Sequence, residues 1–177
     1  MAMPFMGDLE EVTRQHVLLA VRDGYDGLLV ERLSSRQAMP VLYRVGGRLP
    51  LHSTGVGLVL LAFAEPGFQE EVLARPLVHE PEKVAVSPAA LRRTLAEIRR
   101  DGVATFRRRT PQPLVSVAAP VFGADDEVAA ALSVVVPQEH AEPRLLGPAV
   151  RTAARSISRG LGARRSIGHT GGPFSPS

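Results

Sequence analysis

The 177-residue sequence has no cysteine and no tryptophan, and its only lysine is Lys83. The absence of cysteine excludes a disulfide framework and thiolate metal sites, and it suits a reducing compartment. Aromatic residues make up 5%, with no stacking motif of the kind used by single-strand nucleic-acid binders. Long apolar runs are missing as well. The longest, around 55–64 and 128–137, fall well short of the roughly 20 residues that a transmembrane helix needs. The N-terminus lacks the basic-then-apolar pattern of a signal peptide. The expectation is a soluble, cytoplasmic protein with no membrane partner.

What is present is ordinary for a globular chain: 45% hydrophobic and 22% charged residues, enough for a sizeable core. At roughly 100–200 residues per domain, one domain is expected. Its expected span is 1–162, followed by a Gly-, Ser- and Pro-rich tail over 163–177 that is expected to be disordered. The formal net charge is +3, and it comes almost entirely from arginine. The basic residues cluster at Arg107-Arg108-Arg109 and from Arg151 to Arg165.

Hydrophobic spacing predicts a short helix over 1–15. Apolar runs at His16–Arg22 and Leu28–Leu33 flank Asp23-Gly24-Tyr25-Asp26-Gly27 and read as a hairpin. A third strand is expected over Met39–Val45. Ser53 or Thr54 can cap a helix running to about Ala64. A short helix over Phe68–Ala74 and a loop from Pro76 to Ser87 follow. The clearest helix has Ser87 as cap, Pro88 in its first turn and Gly102 as stop, with Leu91, Leu95 and Ile98 as its buried stripe. Val103–Arg109 reads as a strand. Leu114–Phe122 and Glu127–Val136, around Gly123-Ala124-Asp125-Asp126, read as a second hairpin. A last helix is expected over Gly147–Leu161. Hairpins imply antiparallel pairing, and the helices need a sheet face to bury against. The pattern predicts an α+β fold rather than a doubly wound enzyme.

The most informative stretch is Arg48-Leu49-Pro50-Leu51-His52-Ser53-Thr54-Gly55-Val56-Gly57. A strand enters a helix whose first turn carries two glycines. First-turn N–H groups have no intrahelical partner, and with the helix dipole they favour an anion. A tight junction with glycines for packing produces the same pattern. His52 reads as a junction histidine that holds the turn by hydrogen bonds, because His16, His79, His140 and His169 show no metal-like spacing. No metal and no cofactor are expected. Ser116 and Ser133 lack an adjacent base or a nucleophile elbow, so no enzyme activity is expected. Arg107-Arg108-Arg109 is open to two readings, a solvated strand edge or an acid-binding group, and alternation puts Arg108 on the face opposite its neighbours.

Leu49-Pro50-Leu51-His52-Ser53-Thr54-Gly55-Val56-Gly57, followed by Leu60-Leu61-Ala62-Phe63, resembles the signature segment of IclR-type effector-binding domains. Ser116-Val117-Ala118-Ala119-Pro120-Val121 looks like the small-residue strand of that family, and Ala130-Ala131-Leu132-Ser133-Val134 like its return strand. The resemblance implies a GAF-like fold, a central antiparallel sheet of about six strands with helices on both sides. It implies a small carboxylate-type metabolite as ligand and a homo-oligomer, dimer or tetramer. The site residues it implies are Gly55, Val56, Ser116, Ser133 and Val135, and the Thr105–Arg109 strand, with Phe106 and Arg107, is expected to supply a further wall. Gly55 and Val56 would serve through their backbone.

Some positions depart from the family pattern. Ser116 stands where several members have cysteine, and Val135 where a polar residue is common. The acidic residues usual after the Gly-x-Ala step are replaced by Thr105-Phe106-Arg107-Arg108-Arg109. Pro113 replaces a glycine, and Leu58 a lysine. Only a short helix precedes His16, so this chain alone is not expected to bind specific DNA through a winged helix-turn-helix. Two functions are compatible with this reading. One is a small-molecule sensing domain of a transcription regulator. The other is a ligand-less oligomerisation module that titrates full-length regulators.

Overall fold

The computed structural model describes residues 1–36, 38, 43–79, 84–109 and 111–164. The chain begins with helix α1 (Met3–Thr13), followed by strands β1 (His16–Asp23), β2 (Asp26–Leu33) and β3 (Arg48–Pro50). Helices α2 (Gly55–Ala62) and α3 (Pro66–Leu73) come next. A small hairpin, β4 (Val78–His79) and β5 (Val84–Ala85), precedes α4 (Pro88–Asp101). Strands β6 (Ala104–Arg108), β7 (Leu114–Phe122) and β8 (Val128–Pro137) then lead, through a 3-10 turn, to α5 (Pro143–Gly160).

The main sheet has six strands in the order β3-β2-β1-β8-β7-β6, and every neighbouring pair is antiparallel. The chain thus has the α+β architecture expected. Helices α2 and α4 cover one face, in a core that includes Val59, Leu61, Leu95, Ala118 and Ala131. Helices α1 and α5 cover the other, in a core built on Met6, Val117, Leu132, Val150 and Ile157. Strand β7 is buried along its whole length. That explains its near-continuous apolar sequence, because a strand covered on both faces has no reason to alternate. Helix α2 is likewise buried at every position, as expected of a helix that is apolar all round.

Three expectations need correction. Of the strand expected over Met39–Val45, residues 39–42 lie outside the described set, and Tyr43–Val45 form no strand. The third strand is β3, six residues beyond Leu42, held behind a turn in which Gly46 N–H donates to the Leu29 carbonyl (2.7 Å). The segment expected to be pure loop, Pro76 to Ser87, contains the β4–β5 hairpin. Helix α5 starts at Pro143, a turn before the expected Gly147. Pro143 occupies the first turn, where a missing N–H costs nothing, and Pro148 removes one internal hydrogen bond without ending the helix. The tail expected over 163–177 lies outside the described residues from 165 onward.

Candidate binding site beneath helix α2

The junction between β3 and α2 is built by two side chains. The Thr54 hydroxyl accepts from Gly57 N–H (3.0 Å) and donates to the Pro50 carbonyl (2.7 Å). The His52 Nε2 lies 2.8 Å from the Val78 carbonyl, which ties the junction to β4. His52 is therefore the hydrogen-bonding junction histidine anticipated from its spacing. Because Thr54 satisfies Gly57, the amides of Gly55 and Val56 remain as the first-turn donors without an intrahelical partner. Thr54→Ala removes that cap and should lower stability by about 1 kcal/mol in urea denaturation. A variant as stable as wild type would show that the tie contributes nothing.

Helix α2 approaches the sheet so closely that a Cβ on Gly55 would lie 2.8 Å from the Ser116 Cβ and 3.5 Å from that of Ala118. Only glycine permits this contact, and it places the helix start directly on Ser116. Strand register then determines what shares that face, since directly paired residues point the same way. Ser116 pairs with Phe106 and Val135, and Ala118 pairs with Ala104 and Ser133. Phe106, Ser116, Ser133 and Val135 therefore lie on the α2 face of the sheet, with the two serines diagonal to each other. Val56 contributes only its amide, because its side chain is buried in the core. Five of the seven expected site residues point to, or sit over, the same face, and the sixth, Val56, turns its backbone there.

Arg107 does not join them. It pairs with Val115 on the opposite face and is exposed. Its side chain lines a cavity of about 340 Å³ together with His52, Ser53, Leu91 and Phe106. The arginine on the serine face is Arg108, which pairs with Leu114 and is half-buried. Its Nε is buried without a hydrogen-bond partner among the described residues. Its guanidinium carbon lies 5.9 Å from the centre of the Tyr43 ring. Burial pushes the Tyr43 phenol above its ordinary range, while the positive charge of Arg108 pulls it back. Arg32 donates to the Tyr43 carbonyl from the same side. Tyr43 and Arg32 were not identified from the sequence, and Arg108 was named only within the Arg107-Arg108-Arg109 cluster. The only available signal was the alternation that set Arg108 apart from its neighbours.

One more atom marks this face. The Ser133 hydroxyl is fully buried, at 0% exposure, and has no hydrogen-bond partner among the described residues. A buried hydroxyl left unpaired costs about 1–3 kcal/mol, so its retention fits a binding role. Next to it, Val135 packs with Leu18, Leu29 and Leu114 in a small apolar cluster that Tyr43 and Leu49 border. The face therefore offers two helix amides and a hydroxyl at one end, an apolar strip, and a guanidinium with a phenol at the other.

No group of three or more His, Asp or Glu among the described residues could hold a metal. Likewise, no helix among them is long and apolar enough to cross a membrane.

Residues 1–159 match the family model described as the bacterial transcriptional regulator IclR C-terminal. The HTH-type transcriptional regulator BhcR of Paracoccus denitrificans is 29% identical over 171 residues, covering 94% of this chain and 61% of that protein. An IclR homologue of Microbacterium hydrocarbonoxydans, solved in complex with 4-hydroxybenzoate, is 38% identical with a TM-score of 0.83, covering 90% of this chain and 66% of that one. A putative IclR transcriptional regulator of Silicibacter sp. TM1040 is 32% identical with a TM-score of 0.84, covering 94% and 67%. The chain thus spans less than two thirds of the BhcR and Microbacterium relatives' own length. These relatives are regulators rather than enzymes. With the family model matched over nearly the whole described chain and the same fold in relatives above 30% identity, the chain belongs to the IclR family of bacterial transcriptional regulators, as its C-terminal region.

Proposed function

We propose that the α2 face of the sheet binds a small organic acid of aromatic-acid size, and that this binding controls transcription through DNA contacts outside this chain. The observation that carries the reading is the unpartnered, fully buried Ser133 hydroxyl on the sheet face against which the start of α2 packs. Those amides and the helix dipole suit a carboxylate. The Arg108 Nε, also without a partner, suits a second polar group. Arg108 lies level with Leu114, four residues along β7 from the level of Ser133 and two from Ser116 under Gly55, about 13 and 7 Å at the usual rise. A two-carbon acid cannot touch both Ser133 and Arg108, whereas a ring-sized acid can when the long Arg108 side chain reaches back. The ligand of the Microbacterium relative, 4-hydroxybenzoate, has these dimensions and is the first probe.

Thermal and urea denaturation against a panel of aromatic and aliphatic acids tests the reading, with neutral 4-hydroxybenzamide as control. A true ligand should stabilise the fold by about 2.7 kcal/mol at a hundredfold excess over its dissociation constant. Arg108→Met should weaken the response, and Arg107→Met should leave it unchanged. Gly55→Asp, attractive as a charge block, is a poor test because any side chain there collides with Ser116.

A second reading, a ligand-less oligomerisation module, is favoured by one observation. Val135 is fully buried against Leu18, Leu29 and Leu114, so the apolar strip beside Ser133 is already filled by protein. Absence of stabilisation by every acid in the panel would select it.

A further inference from the structure

We propose a second anion site, away from the α2 face, that takes the phosphoryl group of a small phosphate monoester. It lies between the C-terminal half of α5 and the end of β7, in a cavity of about 190 Å³. Arg151, Arg155, Arg159 and Arg164 all line it, over a floor that includes Ala119, Pro120 and Phe122. The first three recur at four-residue steps and so project from one side of α5.

The helix itself has no use for this row. Like charges at that spacing destabilise a helix by a few tenths of a kcal/mol per pair, and α5 contains no acidic residue to offset them. The contacts made by two of the guanidinium groups are to neutral oxygens. Arg151 donates to the Asp101 carbonyl (3.0 Å) and Arg159 to the Ser156 hydroxyl (3.2 Å). The Asp101 carboxylate is hydrogen-bonded by Arg100 at 2.9 Å and feels Arg151 only through space. Arg151 and Arg159 therefore line the cavity with neutral oxygens as their hydrogen-bond partners.

The cavity is also held in shape. The buried Ser158 hydroxyl donates to the Ala154 carbonyl (2.7 Å) and accepts from Phe122 N–H (2.9 Å). That bond fixes the arginine row relative to the floor. At the mouth, the Arg164 N–H donates to an Asp126 carboxylate oxygen (2.8 Å).

The cavity's size and charge identify the ligand class. The cavity is smaller than the roughly 300–1,000 Å³ of sites for drug-sized ligands, so it suits one charged group with a few carbons. A phosphate monoester carries about −1.5 to −2 at neutral pH and three acceptor oxygens, which several guanidinium forks can share. A single carboxylate has too few oxygens for this many donors. The apolar floor suits the short carbon portion of the ester.

The test is calorimetric titration of the full chain at constant ionic strength, with inorganic phosphate and glycerol 3-phosphate as probes. Saturable binding is expected, tighter for the ester. The double variant Arg151→Gln/Arg159→Gln should bind about tenfold more weakly or worse. Its response to 4-hydroxybenzoate should match wild type, which separates this site from the α2 face. Glutamine is a good helix former, and far-UV circular dichroism checks that α5 survives. The single variant Arg159→Gln, expected to fall between, serves if the double variant misfolds. Binding that is undiminished in these variants, or a response no different from chloride, would overturn the proposal. So would a short DNA duplex that binds through these arginines while the phosphate ester does not.

Discussion

Replacing Gly57 with alanine should cost the fold about 3 kcal/mol, near the upper end for forcing a methyl group into packed surroundings. An added Cβ would lie 2.7 Å from the Leu51 Cα, and closer still to the Pro50 carbonyl oxygen and the Thr54 hydroxyl. Two of these three neighbours are backbone, so no side-chain rotation relieves the clash. The Thr54 hydroxyl is also the cap that Gly57 N–H uses, so pushing it aside loses that bond as well. The control is Gly67→Ala in α3, where a Cβ meets nothing within 4 Å. It should be neutral or stabilise by up to about 1 kcal/mol, because alanine loses less backbone freedom in a helix. Urea denaturation of the two variants measures the contrast. Equal midpoints would mean that the junction yields easily and that Gly57 is not held against Pro50 and Leu51 as described.

Ser133→Ala should act in opposite directions on stability and on binding. The wild-type hydroxyl is buried and unpaired, so deleting it removes a desolvation cost and should stabilise the ligand-free fold by about 1 kcal/mol. The same deletion should shrink the stabilisation by 4-hydroxybenzoate. Ser158→Ala provides the comparison. There the hydroxyl makes two hydrogen bonds, one of them accepted from Phe122 N–H, and its loss removes both. The same chemical change should then destabilise by about 1–2 kcal/mol. Denaturation midpoints with and without ligand test both. A Ser133→Ala protein that is less stable than wild type and responds to the acid unchanged would remove Ser133 from the site.

Features governed by local chemistry were legible in the sequence. The β1–β2 and β7–β8 hairpins follow from turn residues between apolar runs. Helix α4 follows from Ser87, Pro88 and Gly102, which cap and stop it in the structure. Strands β4 and β5 have two residues each, too few for any periodicity to register. The start of α5 was obscured by Pro148, which tolerates a helix interior here. At the site, the glycines of α2 announced close approaches, which Gly55 makes to Ser116 and Gly57 to Pro50, Leu51 and Thr54. Arg107 and Arg108 show where local reasoning ends. Alternation separates their faces, but which face turns inward depends on Phe106 pairing with Ser116, a contact set by the whole sheet. Tyr43 reaches Arg108 from a segment remote in sequence, which no spacing rule anticipates.

The sheet has two edges, and neither invites another strand. Edge strand β3 is three residues long and ends at Pro50, whose missing N–H removes a rung from any added ladder. Edge strand β6 runs into consecutive arginines at 107–109, with 107 and 109 exposed. A second copy aligned antiparallel or parallel there would set like charges side by side before any backbone bond could form. Short, proline-stopped and charged edges are the devices by which β proteins avoid aggregating edge to edge. Association between copies is thereby left to the helical faces, where Met3, Val12 and Leu145 are exposed. A chain so protected should remain dispersed at high concentration.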